Sequence, residues 1–291
     1  MIAKTATFVI LVCLSIGLVY SQDGSSQPPE EPDFFFLTGG PYTQQKNSPQ
    51  LIWAHQWLHS RTASLHLRDL SGAGRVEFGV SDNLEADFEF GATSVRQEHP
   101  TYTLIDTQLD GMMLGARYRI LREDFAPLTL TVGPQLLIPT RTSAPWETGL
   151  GYGVDVTAAK DWGGPVFTAA SVNWRNTPGV RPTEAGEPSS LRQVSYAVAL
   201  GLRPVEAVTR KETKHDLHAF VEMLSTTEDA IDAGEIGTTR HIFAAPGIRY
   251  GFTNRAGILA EIGIAFPLGL NREAPNWGTL LQLQIELPGI F

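Results

Sequence analysis

Apolar and polar residues alternate with a period of two along most of this chain, and this pattern restricts the possible folds more than any other feature. In residues 84–92 the even positions are apolar, whereas the odd positions include Glu85, Asp87 and Glu89. Successive side chains of a β-strand point to opposite faces, so the alternation predicts strands. About twelve such runs occur, near 50–59, 72–80, 84–95, 107–120, 127–139, 148–160, 165–176, 191–203, 215–226, 239–252, 255–268 and 278–290.

The connections between these runs also alternate, this time in length. Short ones, such as 81–83 and 253–254, are interleaved with long polar ones, such as 60–71, 96–106 and 227–238. An even number of strands with short turns at one end and long loops at the other is typical of outer-membrane barrels. A closed barrel leaves no backbone edge exposed to lipid. The sequence therefore predicts an all-β fold, an antiparallel up-and-down transmembrane β-barrel of about twelve strands, over residues 50–291.

The first 49 residues lack this pattern and divide into two segments. Residues 1–21 combine Lys4 with an apolar stretch and a polar exit, which is typical of a secretory signal peptide. Residues 22–49 are expected to form a disordered or loosely packed periplasmic lead-in, because the segment begins with a polar, Pro-rich stretch. Phe34, Phe35 and Phe36 could pack against the folded part. The expected location is the outer membrane of a Gram-negative-type bacterium, reached by signal-peptide export.

A secreted, water-soluble β-barrel or sandwich that binds a ligand would show the same alternation with the apolar face inward. Three features favour the membrane alternative: the many Gly and Ala residues, aromatic residues near strand ends such as Tyr118 and Trp277, and the terminal Phe291. Aromatic residues at strand ends suit the girdles of a membrane barrel. A terminal Phe after alternating apolar residues resembles the signal read by the barrel-assembly machinery, although Gly289 departs from it.

Composition excludes several other classes of protein. The formal net charge is -9 without a basic cluster, which argues against a nucleic-acid partner. The single Cys13 excludes a disulfide framework and thiolate metal sites. The adjacent His59 and Ser60 would point to opposite faces of a strand and so could not act as base and nucleophile. We therefore expect no enzyme activity, no cofactor and no metal.

Several segments resemble a known family. The stretch Arg75–Gly91 is similar to a strand-turn-strand signature of the outer-membrane family named for the MetA pathway of phenol degradation, and Gly115–Leu121, Thr131–Thr140 and Gly149–Asp161 resemble its next strands. Arg141 departs from the usual Pro-Thr-Gly. The resemblance implies a porin-like channel for poorly soluble, often aromatic compounds. The expected partners are thus outer-membrane lipids and small hydrophobic solutes.

If the apolar face contacts lipid, the opposite face lines the interior. Two interpretations remain open for its charges: acidic and basic strands that pair to hold the wall together, or a selectivity lining that orients a passing solute. The alternative to a channel is a structural or adhesive surface barrel with a plugged lumen. The predicted lumen-lining residues are Glu77, Glu85, Asp87, Glu89, Arg117, Arg119, Asp155, Arg175, Arg203, Glu222, Arg249, Glu261 and Glu286.

Overall fold

The protein is a closed, antiparallel β-barrel. The computed structural model describes residues 36–38, 40–61, 66–123, 126–139, 149–180, 187, 189–210, 213–232 and 235–288. The predicted signal peptide at 1–21, the lead-in up to residue 35 and the terminal Phe291 lie outside the described residues, so these expectations remain predictions.

The wall consists of strands that follow one another in sequence order and pair with their neighbours. They are β1 (Pro49–Arg61), β2 (His66–Ser81), β3 (Leu84–His99), β4 (Tyr102–Leu121), β5 (Thr129–Ile138), β6 (Gly151–Asp161), β7 (Val166–Val180), β8 (Ser189–Arg210), β9 (Thr213–Asp232), β10 (Glu235–Thr253), β11 (Leu259–Ala265), β12 (Leu268–Gly269) and β13 (Trp277–Glu286). Strand β1 pairs with β13 and closes the barrel.

The short strand β12 continues β11 after a break, because both pair with β10 on one side and β13 on the other. The wall therefore has twelve strand positions, as the alternation predicts. Among the described residues no segment is helical. No helix there is long and apolar enough to span a membrane.

The outward face is apolar and the inward face carries the charges. Ile248 is 53% exposed and Leu283 is 45% exposed, whereas the inward Glu77, Glu85 and Glu222 are 0% exposed. A water-soluble barrel would show the reverse, with its aliphatic rows packed at the centre. The first strand follows the same rule, since Trp53 and Trp57 both point outward.

Several predicted long loops are instead continuations of the strands. The expected loop 96–106 forms the ends of β3 and β4, which are joined by only two residues, 100–101. The expected loop 227–238 is likewise mostly within paired strands. The prediction of loops was wrong here because polar side chains on both faces hide the alternation, while the backbone ladder continues without it.

We call residues 36–38 and 40–48 the inner strap, which runs from the barrel interior to the short-turn end. Thr38 is 2% exposed, Thr43 is 1% exposed and Tyr42 is 7% exposed. The sequence assigns these residues to the lead-in, but most of their side chains are buried or half-buried, and of those described only Gln45 and Lys46 are exposed. The strap enters next to the turn between β2 and β3, because Thr43 Oγ1 donates to the carbonyl of Asp82 at 3.1 Å.

Candidate functional site

One end of the inner strap is held by a single carboxylate. The backbone N–H groups of Phe36, Leu37 and Thr38 all donate to Glu222, at 3.0, 2.8 and 2.8 Å. Successive backbone N–H groups that converge in this way form an anion-binding concavity. Hydrogen bonds to a charged group are stronger than neutral ones, at about 1.5–3 kcal/mol each. Glu222 therefore fixes the strap across the middle of the lumen.

The other end of the strap is held by β1–β4. The backbone N–H of Gln44 donates to Glu85 Oε2 at 2.8 Å, and the Arg117 guanidinium donates to the carbonyl of Gly40 at 3.1 Å. The backbones of Asn47 and Gly79 are joined by a 2.7 Å hydrogen bond. A Cβ at Gly79 would overlap the carbonyl oxygen of Gln45, so this glycine permits the close approach of strap and wall.

Arg117 joins the strap to a buried pair of acids. Its Nε donates to Glu85 at 2.9 Å and its Nη2 donates to Glu77 at 2.6 Å. Glu85 and Arg117 are register partners across β3 and β4, the predicted acidic and basic strands. Both acids are fully buried, so removal of the guanidinium would take away the cation that they share and leave Arg75, 3.4 Å from Glu77, as the nearby cation.

A second charged group lies further from the short turns. Arg75 Nε donates to Glu89 at 2.8 Å, and Arg175 Nε donates to the side-chain oxygen of Gln135 at 3.2 Å. Arg175 Nη2 also lies 3.6 Å from the sulfur of Met113. Glu89, Arg175 and Met113 line the cavity described below. The charges in the middle of the barrel are thus partly paired and partly open to that cavity.

The remaining predicted residues are distributed around the wall. Arg203 pairs with Asp161 at 2.9 Å, and Arg249 lies 3.5 Å from Glu261. Arg249 also lies 5.6 Å from the ring of Phe36 in the strap. The other four occupy separate places: Arg119 donates to the carbonyl of Asp82, Asp155 accepts from Thr157 at 2.9 Å, Asp87 is half-buried on β3, and Glu286 is half-buried at the end of β13.

Among the described residues, a cavity of about 940 Å³ lies in the lumen beside the strap. Phe36 and Leu37 lie at its inner end, and it extends toward the barrel end opposite the short turns. Apolar side chains turn inward around it: Met113 is 6% exposed, Phe243 is 9% exposed and Leu280 is 6% exposed. Its walls therefore combine apolar surface with a few charged groups, as small-molecule sites often do.

A titratable pair lines the cavity away from the strap. His241 Nε2 lies 3.4 Å from Glu228, which also accepts a hydrogen bond from Gln193 at 3.1 Å. Both residues lie level with Arg240, where the outward face of β10 stops being apolar. The hydrogen bond with Glu228 raises the pKa of His241 above its ordinary value, and the same contact lowers the pKa of Glu228.

Sequence analysis missed the strap and the inward apolar residues of the cavity. The position of Phe36 is consistent with the expectation that the three phenylalanines could pack inward, but nothing in residues 40–48 signals burial. Phe243 and Leu280 occupy strand positions whose alternation gives their face but not the space in front of them. In the described part of the chain, no group of three or more His, Cys, Asp or Glu side chains is placed to hold a metal ion.

Comparisons with known proteins show the fold. No family model matches the chain, and no curated protein matches its sequence. A crystallised outer-membrane channel from Pseudomonas putida F1 has a TM-score of 0.54 at 12% identity, covering 90% of this chain and 99% of that one. The translocator domain of the autotransporter NalP from Neisseria meningitidis has a TM-score of 0.48 at 9% identity, covering 98% and 96%. Both identities are below 25%, so these comparisons concern the fold alone, and only the first has a TM-score above 0.5. It shows that the chain has an outer-membrane type of β-barrel fold. The resemblance to the phenol-degradation family stays a prediction.

Proposed function

We propose that this protein is an outer-membrane channel of a Gram-negative-type bacterium that lets small hydrophobic or aromatic molecules pass. The apolar exterior supports a place in a bilayer, because exposed aliphatic side chains surround the closed wall. The same exterior argues against a secreted soluble barrel.

The residues that line the cavity support the proposed class of solute. Met113, Phe243 and Leu280 are inward-facing apolar residues at the cavity wall, and the buried Phe167 and Phe220 form with Phe36 a further apolar cluster inside the barrel. Apolar surface next to Arg175 and Glu89 suits a molecule with an aromatic body and a polar group. A cavity of about 940 Å³ has room for a compound of that size.

The strap lies on the route by which a solute would leave the cavity. It crosses the lumen between the cavity and the short turns, so a continuous path requires that the strap shift or that a solute pass beside it. The same burial favours a second function, a structural or adhesive surface barrel with a plugged lumen. The two functions differ in whether any current or solute crosses the wall.

Planar-bilayer conductance tests the proposal. We expect the wild-type protein to conduct ions, and phenol to reduce this current more than glucose does at equal concentration. The double variant Met113→Gln with Phe243→Ser should weaken the phenol effect, because it removes apolar cavity surface. Ile105→Ser is the matched control, because Ile105 is 60% exposed outside the barrel.

The strap variant separates the two functions. Glu222→Gln removes the charge that holds residues 36–38, so it should raise conductance if the strap limits the path. Absence of current in both the wild type and Glu222→Gln would favour the plugged structural barrel. An equal effect of phenol and glucose would contradict selectivity for aromatic solutes.

A further inference from the structure

Five basic residues share the outward face of the barrel at the end opposite the short turns. Their register shows the common face: Arg61 pairs with His66, His59 pairs with Arg68, and Arg68 in turn pairs with Arg96. Directly opposed residues on antiparallel strands point to the same side of the sheet. We call this group the basic rim patch: His59, Arg61, His66, Arg68 and Arg96.

The basic rim patch has more cations than local acids can neutralise. Glu98 lies 2.8 Å from Arg96 and 3.7 Å from Arg68, and the side chains of these two arginines are 48% and 47% exposed. Among the described residues no ion pair involves Arg61 or His66. The whole chain has a net charge of -9, so a local excess of positive charge on three neighbouring strands attracts an anionic partner.

The basic rim patch begins where the apolar exterior ends. Trp57 is 47% exposed and Trp277 is 49% exposed, and His59 stacks on the Trp277 ring with centroids 4.3 Å apart. Tryptophans at such positions mark the interface between hydrocarbon and headgroups. A groove of about 350 Å³ runs beside them, lined by His59, Arg61, His66, Arg68, Asn276 and Trp277.

We propose that the basic rim patch binds the phosphate groups of a phosphorylated glycolipid in the outer leaflet. This inference rests on the proposed place of the barrel in the outer membrane. Guanidinium groups form bidentate hydrogen bonds with phosphate, and aromatic ring faces pack against apolar faces of a saccharide. The acyl chains would lie along the exposed Trp57 and Leu70, directly below the patch.

The position of the basic rim patch on the barrel favours a lipid of the outer leaflet. Short turns and the chain end preceding β1 lie at the opposite end, which is the periplasmic side in barrels of this type. Phospholipids of the inner leaflet would therefore meet the other end of the wall. A free phosphate ion would use the same guanidinium groups but would gain nothing from the tryptophans and Leu70.

The test is native mass spectrometry of the detergent-solubilised full chain with bisphosphorylated lipid A. Wild-type protein should retain one or more lipid A molecules, and dephosphorylated lipid A should bind about tenfold more weakly. The double variant Arg61→Gln with Arg68→Gln should show a similar loss. The double variant Lys46→Gln with Arg255→Gln is the matched control, since it removes two exposed cations at the short-turn end.

Two outcomes would overturn the proposal. One is equal retention of lipid A by the patch variant and the control. The other is inorganic phosphate that displaces lipid A at low concentration, which would show a site for the free ion.

Conductance distinguishes failure of the lipid site from failure of the proposed channel: the double variant Arg61→Gln with Arg68→Gln should conduct like the wild type. A barrel that binds lipid A without conducting would contradict the channel but not the lipid site. Unchanged heat-dependent gel mobility shows that each variant is folded.

Discussion

The carboxylate of Glu222 and the backbone N–H of Thr38 lie 2.8 Å apart, although 184 positions separate them in the chain. This contact connects the segment before the first strand with the ninth strand of the wall. It makes the inner strap a part of the barrel interior, and it gives the first prediction.

Replacement of Glu222 should release the strap. Glu222→Ala removes the acceptor of three backbone hydrogen bonds, each worth about 1.5–3 kcal/mol when the acceptor is charged. We expect faster protease cleavage within residues 36–48, measured on protein in detergent, while the barrel band resists digestion. Glu228→Gln is the control, because Glu228 makes no described contact with the strap. Identical cleavage rates in both variants would show that Glu222 does not hold the strap.

Loss of Arg117 should destabilise the barrel itself. Arg117→Met leaves Glu77 and Glu85 buried without their shared cation, and breaking a buried ion pair costs about 3–5 kcal/mol. The temperature at which the folded band disappears on a gel should therefore fall. The exposed Arg272→Gln should leave that temperature unchanged. A wild-type unfolding temperature for Arg117→Met would mean that the two acids are neutral in the folded protein.

The contact between His241 and Glu228 should depend on pH in both directions. Because the folded protein raises the pKa of His241, the histidine's contribution is full below its unfolded value of 6.5 and is lost as the pH rises through the higher folded value. Because the folded protein lowers the pKa of Glu228, its contribution is full above 4.5 and is lost as the pH falls through the lower folded value. The pair is therefore strongest between these two unfolded values.

An NMR titration of the His241 ring measures this effect. Glu228→Gln should move the midpoint down toward the ordinary histidine value, because the largest cause of the shift is the hydrogen bond with Glu228. Gln193→Ala removes another partner of Glu228 and should move the midpoint much less. A midpoint that is the same in the wild type and Glu228→Gln would contradict the pairing.

The outward face gives a prediction about insertion into lipid. Ile248→Arg places a charge in the middle of the apolar exterior, where an arginine costs about 2–4 kcal/mol at the bilayer midplane. Folding yield into lipid vesicles should fall. Ile105→Arg is a matched control, because Ile105 is also an exposed outward isoleucine but pairs with Arg96 beyond the apolar zone. Equal yields would indicate that the Ile248 region does not contact hydrocarbon.

The sequence predicts the wall well because the wall is periodic. The alternation of apolar and charged residues in Leu84–Ala92 places Glu85 inward and Phe90 outward in a membrane barrel. The structure has both orientations. The sequence also suggests that the acidic and basic strands pair, but not the register that brings Glu85 to Arg117, because residues 96–106 are expected there to be a loop. The alternation gives no account of the end of β3 near His99, where neighbouring positions on both faces are polar.

The strap could not be predicted for a different reason. Its partners Glu85 and Glu222 are far away in sequence, and what they bind is its backbone N–H groups, which every residue type except proline supplies. Residues 40–48 therefore carry no distinctive side-chain signal. The alternation around Phe243 concerns only which face of the strand it occupies and gives no sign of the cavity beside it.

The seam between β1 and β13 joins the earliest and the latest synthesised parts of the wall. Since the strap directly precedes β1, it must already be enclosed, or be threaded in afterwards, when this seam forms. The segment made before any strand therefore reaches its final surroundings no earlier than the closure of the ring.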